Sequence, residues 1–253
     1  MSLKNKLKKN QLSIGSWIMM NDPIAIDVML LAEFEWLVVD MEHTSININQ
    51  VENLIRTIQA NNIKALVRVT KNEEVIIKRV LDLGADGIIV PMVCSKNDAL
   101  QAVNYAKYPP EGTRGVGLYR ASAYGTKFKE YKKWVESELV IIAQIEHIDA
   151  VNNIDEILQV KGIDGTLIGP YDLSGSLGFP GEYNRKDVKE AIKKVIEKCK
   201  EYSIPSGFHI VDTNPNEVIS KMKQGCKFLA YGIDYLFLRD SVISGLDKIK
   251  KNK

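Results

Sequence analysis

Two short segments, Gln144-Ile145-Glu146 and Gly169-Pro170-Tyr171-Asp172, each close an apolar run with a carboxylate. If those runs are parallel strands of one α/β barrel, their C-terminal ends open into a common mouth. Glu146 and Asp172 can then converge on one hard divalent cation. A two-carboxylate site leaves most of the coordination shell to waters and substrate oxygens, as magnesium and manganese prefer. The bland alternative pairs Glu146 with a lysine and uses Asp172 to cap the turn at Leu173-Ser174-Gly175.

Two further apolar runs end in groups that could act beside such a metal. Trp36 to Val39 leads into Asp40-Met41-Glu42-His43, and Ala65-Leu66-Val67 leads into Arg68. A neutral imidazole at His43, oriented by Asp40, is poised to accept a proton near neutral pH. His209, near another strand end, is the rival base. His147 follows Glu146 and should point away from the metal, because successive strand residues alternate sides. A guanidinium at Arg68 could hold a carboxylate or an enolate oxygen, or it could form a structural ion pair with Asp40 or Glu42.

The elements that must position these groups are legible as alternation. Apolar, β-branched runs span 12–18, 36–39, 65–69, 87–90, 139–145, 165–168, 206–211 and 227–231. Helical patterns lie near 23–34, 47–61, 73–84, 96–107, 149–161, 185–203, 214–225 and 234–251. Eight strands alternating with eight helices over about 250 residues predict a single (β/α)8 barrel of the α/β class, with residues 1–10 a solvated basic lead-in. Asp22-Pro23 and Asn214-Pro215 place a capping side chain before a proline suited to the first helical turn. An open dinucleotide-binding sheet is disfavoured, since no Gly-x-Gly-x-x-Gly follows the first strand. The stretch from Tyr108 to Glu138, with Arg120-Ala121-Ser122 inside it, is an unusually long connection, read either as a functional or mobile segment or as a surface excursion with one extra helix near 128–135.

Composition excludes several function classes. With 34 basic and 32 acidic residues the net charge is only +2, which gives no bias toward nucleic acid or an anionic membrane. No run approaches the roughly 20 apolar residues of a membrane span. Three widely spaced cysteines, Cys94, Cys199 and Cys226, form neither a disulfide framework nor a thiolate metal site, and a reducing cytoplasm is the expected location. Cys94 lies just past a strand end, but nothing in this chemistry needs a thiol.

With these residues in view, the chain resembles the HpcH/HpaI-type metal-dependent pyruvate aldolases, typified by 4-hydroxy-2-oxoheptane-1,7-dioate aldolase, in the phosphoenolpyruvate/pyruvate barrel superfamily. The likeness covers nearly the whole chain. It is carried by Phe34 to His43, Val90-Pro91-Met92-Val93, Tyr108 to Gly117, Gln144-Ile145-Glu146 and Ile168 to Ser174.

The resemblance implies reversible aldol cleavage of a 4-hydroxy-2-oxo acid to pyruvate and an aldehyde, with a divalent metal (magnesium or manganese, or cobalt) in place of a lysine Schiff base and no organic cofactor. Glu146 and Asp172 would bind the metal, His43 would be the base with Asp40 beside it, and Arg68 would stabilise the transition state. Gln144, Gly169, Tyr171 and Asp172 match substrate-binding positions. Asp82 matches an acidic position that raises the basicity of the histidine. Its place late in a helical pattern is remote from any strand end, so it would act across a subunit contact in a homo-oligomer, a trimer or hexamer by analogy. Tyr171 departs from the family, where a small residue is common, and Tyr171 with the 120–125 segment is expected to shape the aldehyde pocket. The alternatives are a citryl- or malyl-CoA-type lyase and a non-catalytic keto-acid-binding relative.

Overall fold

A computed structural model describes residues 1–252. Eight parallel strands close into a barrel in sequence order: β1 (Ser13–Ile18), β2 (Trp36–Asp40), β3 (Lys64–Arg68), β4 (Gly87–Val90), β5 (Val140–Ile145), β6 (Gly165–Ile168), β7 (Gly207–Ile210) and β8 (Phe228–Ile233). These agree with the eight apolar runs to within a residue or two at each end.

The helices are α1 (Leu3–Lys8), α2 (Pro23–Leu30), α3 (Ile48–Ala60), α4 (Glu74–Asp82), α5 (Lys96–Ala106) and α6 (Phe128–Ser137), then α7 (Ile148–Asn152), α8 (Ile154–Leu158), α9 (Pro170–Ser176), α10 (Lys186–Glu201), α11 (Pro215–Gln224) and α12 (Asp234–Lys251). Asp22 and Asn214 cap α2 and α11 as expected, each accepting a backbone N–H two residues on. The helix anticipated over 149–161 is broken at Asn153 into α7 and α8, and α9, directly after β6, was not anticipated.

Side-chain alternation divides the core in two. On β2, Trp36 and Val38 point inward with Leu66 of β3, Ile142 of β5, Leu167 of β6 and Phe228 of β8. Leu37 and Val39 point outward with Val67, Ile88 and Ile141 to meet the helices. Inside the barrel Trp36 stacks on Phe228 at 4.2 Å, and Gly15 lies under Trp36, where an added Cβ would stand 2.1 Å from the indole. The inward parity continues upward to Asp40, Arg68, Gln144 and Glu146, so an apolar barrel ends in a polar rim.

The lead-in is not solvated. Leu3 and Leu7 on α1 join the inner core and close the bottom of the barrel, and Lys4 is 3% exposed. The Lys4 ammonium donates to the Leu139 carbonyl and pairs with Asp164 at 2.9 Å. The periodicity of Leu3 and Leu7, four apart on one helix face, outweighs the lysines between them.

Candidate active site

The rim groups come from neighbouring strand ends. Asp40 and Arg68 are register partners across β2 and β3, and both are buried. The guanidinium grips the carboxylate in a fork, Nε to Oδ1 at 2.8 Å and Nη2 to Oδ2 at 2.7 Å, while Nη1 lies 3.2 Å from Glu42. Arg68 also sits over the Trp17 ring at 4.5 Å. Both structural alternatives for Arg68 are therefore realised, and the fork aims its remaining N–H groups.

This geometry corrects the role given to Asp40. Its Oδ1 accepts from Arg68 and from the Glu42 N–H, so Asp40 positions Arg68 and does not orient His43. The carboxylate nearest His43 is Glu42, with Nε2 to Oε2 at 3.7 Å, and the His43 side chain is 55% exposed in the mouth. Burial pushes the Glu42 carboxyl up to about 7 against the opposing pull of Arg68, with Glu146, Asp40 and Asp172 adding to the rise. Glu42 thus faces the whole acidic group of the site.

Glu146 is buried at the end of β5. Its Oε1 accepts the Met92 N–H at 2.8 Å and its Oε2 accepts from the Gln144 amide. Met92 presents that N–H from a left-handed backbone, φ +52°, an unusual conformation for a non-glycine residue. Burial raises the Glu146 carboxyl above its ordinary range despite these two donors, and Asp172 adds to the rise. Gly169 leaves the space beside it: a Cβ there would lie 3.0 Å from Glu146 Oε2. Asp172 stands exposed in the first turn of α9, with no hydrogen bond to its carboxylate among the described residues.

The donor chemistry fits a hard divalent cation. Glu146 and Asp172 would be its protein ligands, a two-carboxylate set that leaves open positions for water and substrate; among the described residues no group of three or more His, Cys, Asp or Glu gathers. Asp172 adds to the cost of ionising Glu146, and a cation between them would relieve it. Gln144 Oε1, buried without a partner, is a further oxygen facing this region.

A cleft of about 420 Å³ joins His43, Arg68, Gln144, Gly169, Tyr171 and Asp172 in one mouth. Tyr171 is 45% exposed, its ring 5.3 Å from Tyr183. His147 caps α7 and pairs with Asp149 at 3.3 Å, yet it also lines the hollow that holds Glu146 and Asp172. Burial pushes the Cys94 thiol up to about 11, which leaves it unreactive. A larger hollow, about 770 Å³, lies between α10 and α11 and includes none of these rim residues.

Two expected groups lie elsewhere in the chain. Asp82 ends α4 at the opposite end of the barrel, where it binds Arg114 at 2.6 Å and is pressed against Gly117. The 120–125 segment is anchored there too, since Arg120 donates to the Leu83 carbonyl at 2.6 Å and to Gln59 at 2.8 Å. It does not shape this chain's own mouth.

Three contributors escaped sequence reasoning: Trp17 beneath Arg68, the Met92 N–H, and Glu42 as more than an ion-pair partner. Trp17 was findable, because its parity on β1 places it inside, above Ser13 and Gly15. The Met92 backbone carries no such signal.

The fold agrees with that of known proteins. Residues 13–241 match the model of the HpcH/HpaI aldolase/citrate lyase family. The chain is similar to a 2-dehydro-3,6-dideoxy-6-sulfogluconate aldolase of Pseudomonas putida, 37% identical over 90% of this chain and 89% of that protein. It is 35% identical to a 5-keto-4-deoxy-D-glucarate aldolase of Escherichia coli, over 98% and 96% of the two chains. A crystal structure of an HpcH/HpaI aldolase/citrate lyase family protein from Burkholderia cenocepacia superposes with a TM-score of 0.93 at 27% identity, covering 98% of each chain. Agreement across nearly the full length in family, relatives and fold means that this chain belongs to the HpcH/HpaI aldolase/citrate lyase family and is a carbon–carbon lyase of the aldolase kind.

Proposed function

We propose that the chain is a divalent-metal-dependent pyruvate aldolase, in which Glu146 and Asp172 hold magnesium, manganese or cobalt. The observation that carries this reading is the place of Asp172, which lines both the cleft holding a forked, buried Arg68 and an open His43 and the adjoining hollow holding Glu146. Bound there, the cation would supply Lewis-acid polarisation of the 2-keto oxygen. Arg68, held rigid by Asp40, presents its free N–H groups to the oxygen on which charge grows as the C3–C4 bond breaks. His43 takes the proton of the 4-hydroxyl, so that the aldehyde leaves and the enolate of pyruvate remains to be protonated. Gly169 and Gln144 leave room for, and hydrogen-bond, the pyruvate half.

The relatives at 35–37% identity are aldolases, which sets the citryl- or malyl-CoA-type alternative lower. Turnover of a free 4-hydroxy-2-oxo acid that is abolished by chelation and restored by metal tests the proposal. Undiminished activity without metal, or a borohydride-trapped lysine, would overturn it.

Among the described residues no helix is long and apolar enough to cross a membrane, and we place the protein in the cytoplasm. Assembly of copies is supported by exposed apolar residues on α12 (Leu238, Val242, Ile243, Leu246, Ile249), on its barrel neighbour α2 (Ile24, Val28) and at the α2 C-cap, Leu31. In such an assembly Asp82 would serve the His43 of another copy.

A further inference from the structure

His209, at the end of β7, lines the mouth cleft together with His43 and Arg68. Its ring rests on the Trp17 indole, centroids 4.7 Å apart, and the same indole carries Arg68 at 4.5 Å. One aromatic platform therefore fixes both groups. Nε2 of His209 is sealed and has no hydrogen-bond partner, while Nδ1 has none either but is not sealed. Burial, with Arg68 and His43 adding to it, pushes the ring down to about 3. A ring so placed stays neutral at working pH and is a poor rival to His43 as the base. A neutral imidazole keeps one donor and one acceptor, the complement of a hydroxyl group.

The rest of the cleft wall around His209 mixes Val211 and Ile233 with Asp212 and Tyr235. Gln144 and Asp172 line the same cleft from the end of β5 and the start of α9, where the pyruvate half would sit. A methyl group packed on His209 would leave its nitrogens unpaired, whereas a hydroxyl would satisfy one of them.

We propose that His209 determines specificity for the aldehyde half, hydrogen-bonding a hydroxyl on the carbon next to the aldehyde carbonyl and thereby selecting 2-hydroxyaldehydes over their deoxy counterparts. The proposal rests on the aldolase reading above and deepens it. A site built around a hydrogen bond to a substrate hydroxyl rejects the analogue lacking it, by about 10- to 100-fold for one neutral group.

The test compares aldol addition of pyruvate to glycolaldehyde and to acetaldehyde by the metal-loaded protein. The wild-type kcat/KM ratio should favour glycolaldehyde by about tenfold or more. In His209→Leu the loss should fall mainly on glycolaldehyde, collapsing the ratio, and His209→Gln, which keeps a donor and an acceptor, should recover part of it. A wild-type protein with no such preference, or a His209→Leu variant with an unchanged ratio, would overturn the proposal. An equal loss for both aldehydes, accompanied by loss of pyruvate proton exchange, would also overturn it, making His209 a support for Arg68 alone. Wild-type protein that neither exchanges pyruvate protons nor forms any aldol product would instead bring down the aldolase reading, and this inference with it.

Discussion

Arg68 and Asp40 face each other across β3 and β2 as register partners and close a two-bond fork, at 2.8 and 2.7 Å, inside a nearly dry rim. Strand register alone brings the two Cα atoms together, and the fork then fixes the plane of the guanidinium. Arg68 is thereby a rigid donor whose free N–H groups point where the fork does not.

Breaking this pair should cost both stability and rate. Asp40→Ala leaves the buried guanidinium with only Glu42 at 3.2 Å, and the expected loss in chemical denaturation is about 3 kcal/mol. Arg68→Lys keeps the charge but not the fork, so turnover should fall while the fold persists. Near-normal cleavage by Arg68→Lys would show that a point charge suffices at this position.

Replacing either Glu146 or Asp172 by Ala should abolish metal-dependent turnover and weaken metal binding measured directly by calorimetry. The two should differ in stability. Glu146 is buried and holds the Met92 N–H and the Gln144 amide, whereas Asp172 is exposed and holds nothing. Glu146→Ala should therefore lower the melting temperature of the metal-free protein more than Asp172→Ala does. Equal shifts would mean that the Met92 contact contributes little.

The metal-free protein should also show opposed pH dependences from two rim groups. Glu42 is raised to about 7, so its contribution is full below the ordinary carboxylate range and is lost as pH rises through 7. His209 is lowered to about 3, so its contribution is full above the ordinary histidine range and is lost as pH falls toward 3. In wild type the two slopes offset one another between about pH 4.5 and 6.5. Glu42→Gln should make stability rise more steeply with pH in that window, and His209→Gln should make it fall. Denaturation midpoints across the window measure both, and parallel curves for all three proteins would contradict the two shifts.

The barrel and most of the rim were legible because they rest on alternation. Parity on the strands carries Glu146, Arg68 and Asp40 to the mouth whatever the loops do. What escaped depends on contacts between segments distant in sequence. The pairing of Asp40 with Arg68, and not with His43, follows from strand register, which the spacing Asp40-Met41-Glu42-His43 does not encode. The placing of the 120–125 segment at the far end depends on Arg120 reaching Leu83 and Gln59, and the burial of α1 depends on an open barrel floor that only the closed sheet defines.

Tyr171 should affect the aldehyde half more than the pyruvate half. Its ring is 45% exposed and leans on Tyr183, while its carbonyl accepts from Ser174, so the backbone near Gly169 is held independently of the ring. Tyr171→Ala should alter the ranking of aldehydes in a competition assay and leave the metal dependence of pyruvate proton exchange in place. Loss of exchange as complete as in Asp172→Ala would place the ring in the catalytic core.

The position of Asp82 gives the sharpest test of assembly. Within one chain it is bound to Arg114 at 2.6 Å, at the end of the barrel opposite His43, so it cannot support that histidine in its own mouth. If it supports the His43 of another copy, His43→Ala and Asp82→Asn chains should each be impaired alone. Mixed under conditions that allow exchange of subunits, they should regain activity, because some sites then combine an intact His43 with an intact Asp82 from different chains. An Asp82→Asn protein that is merely less stable, with no recovery on mixing and an unaltered pH profile of turnover, would confine Asp82 to its ion pair with Arg114.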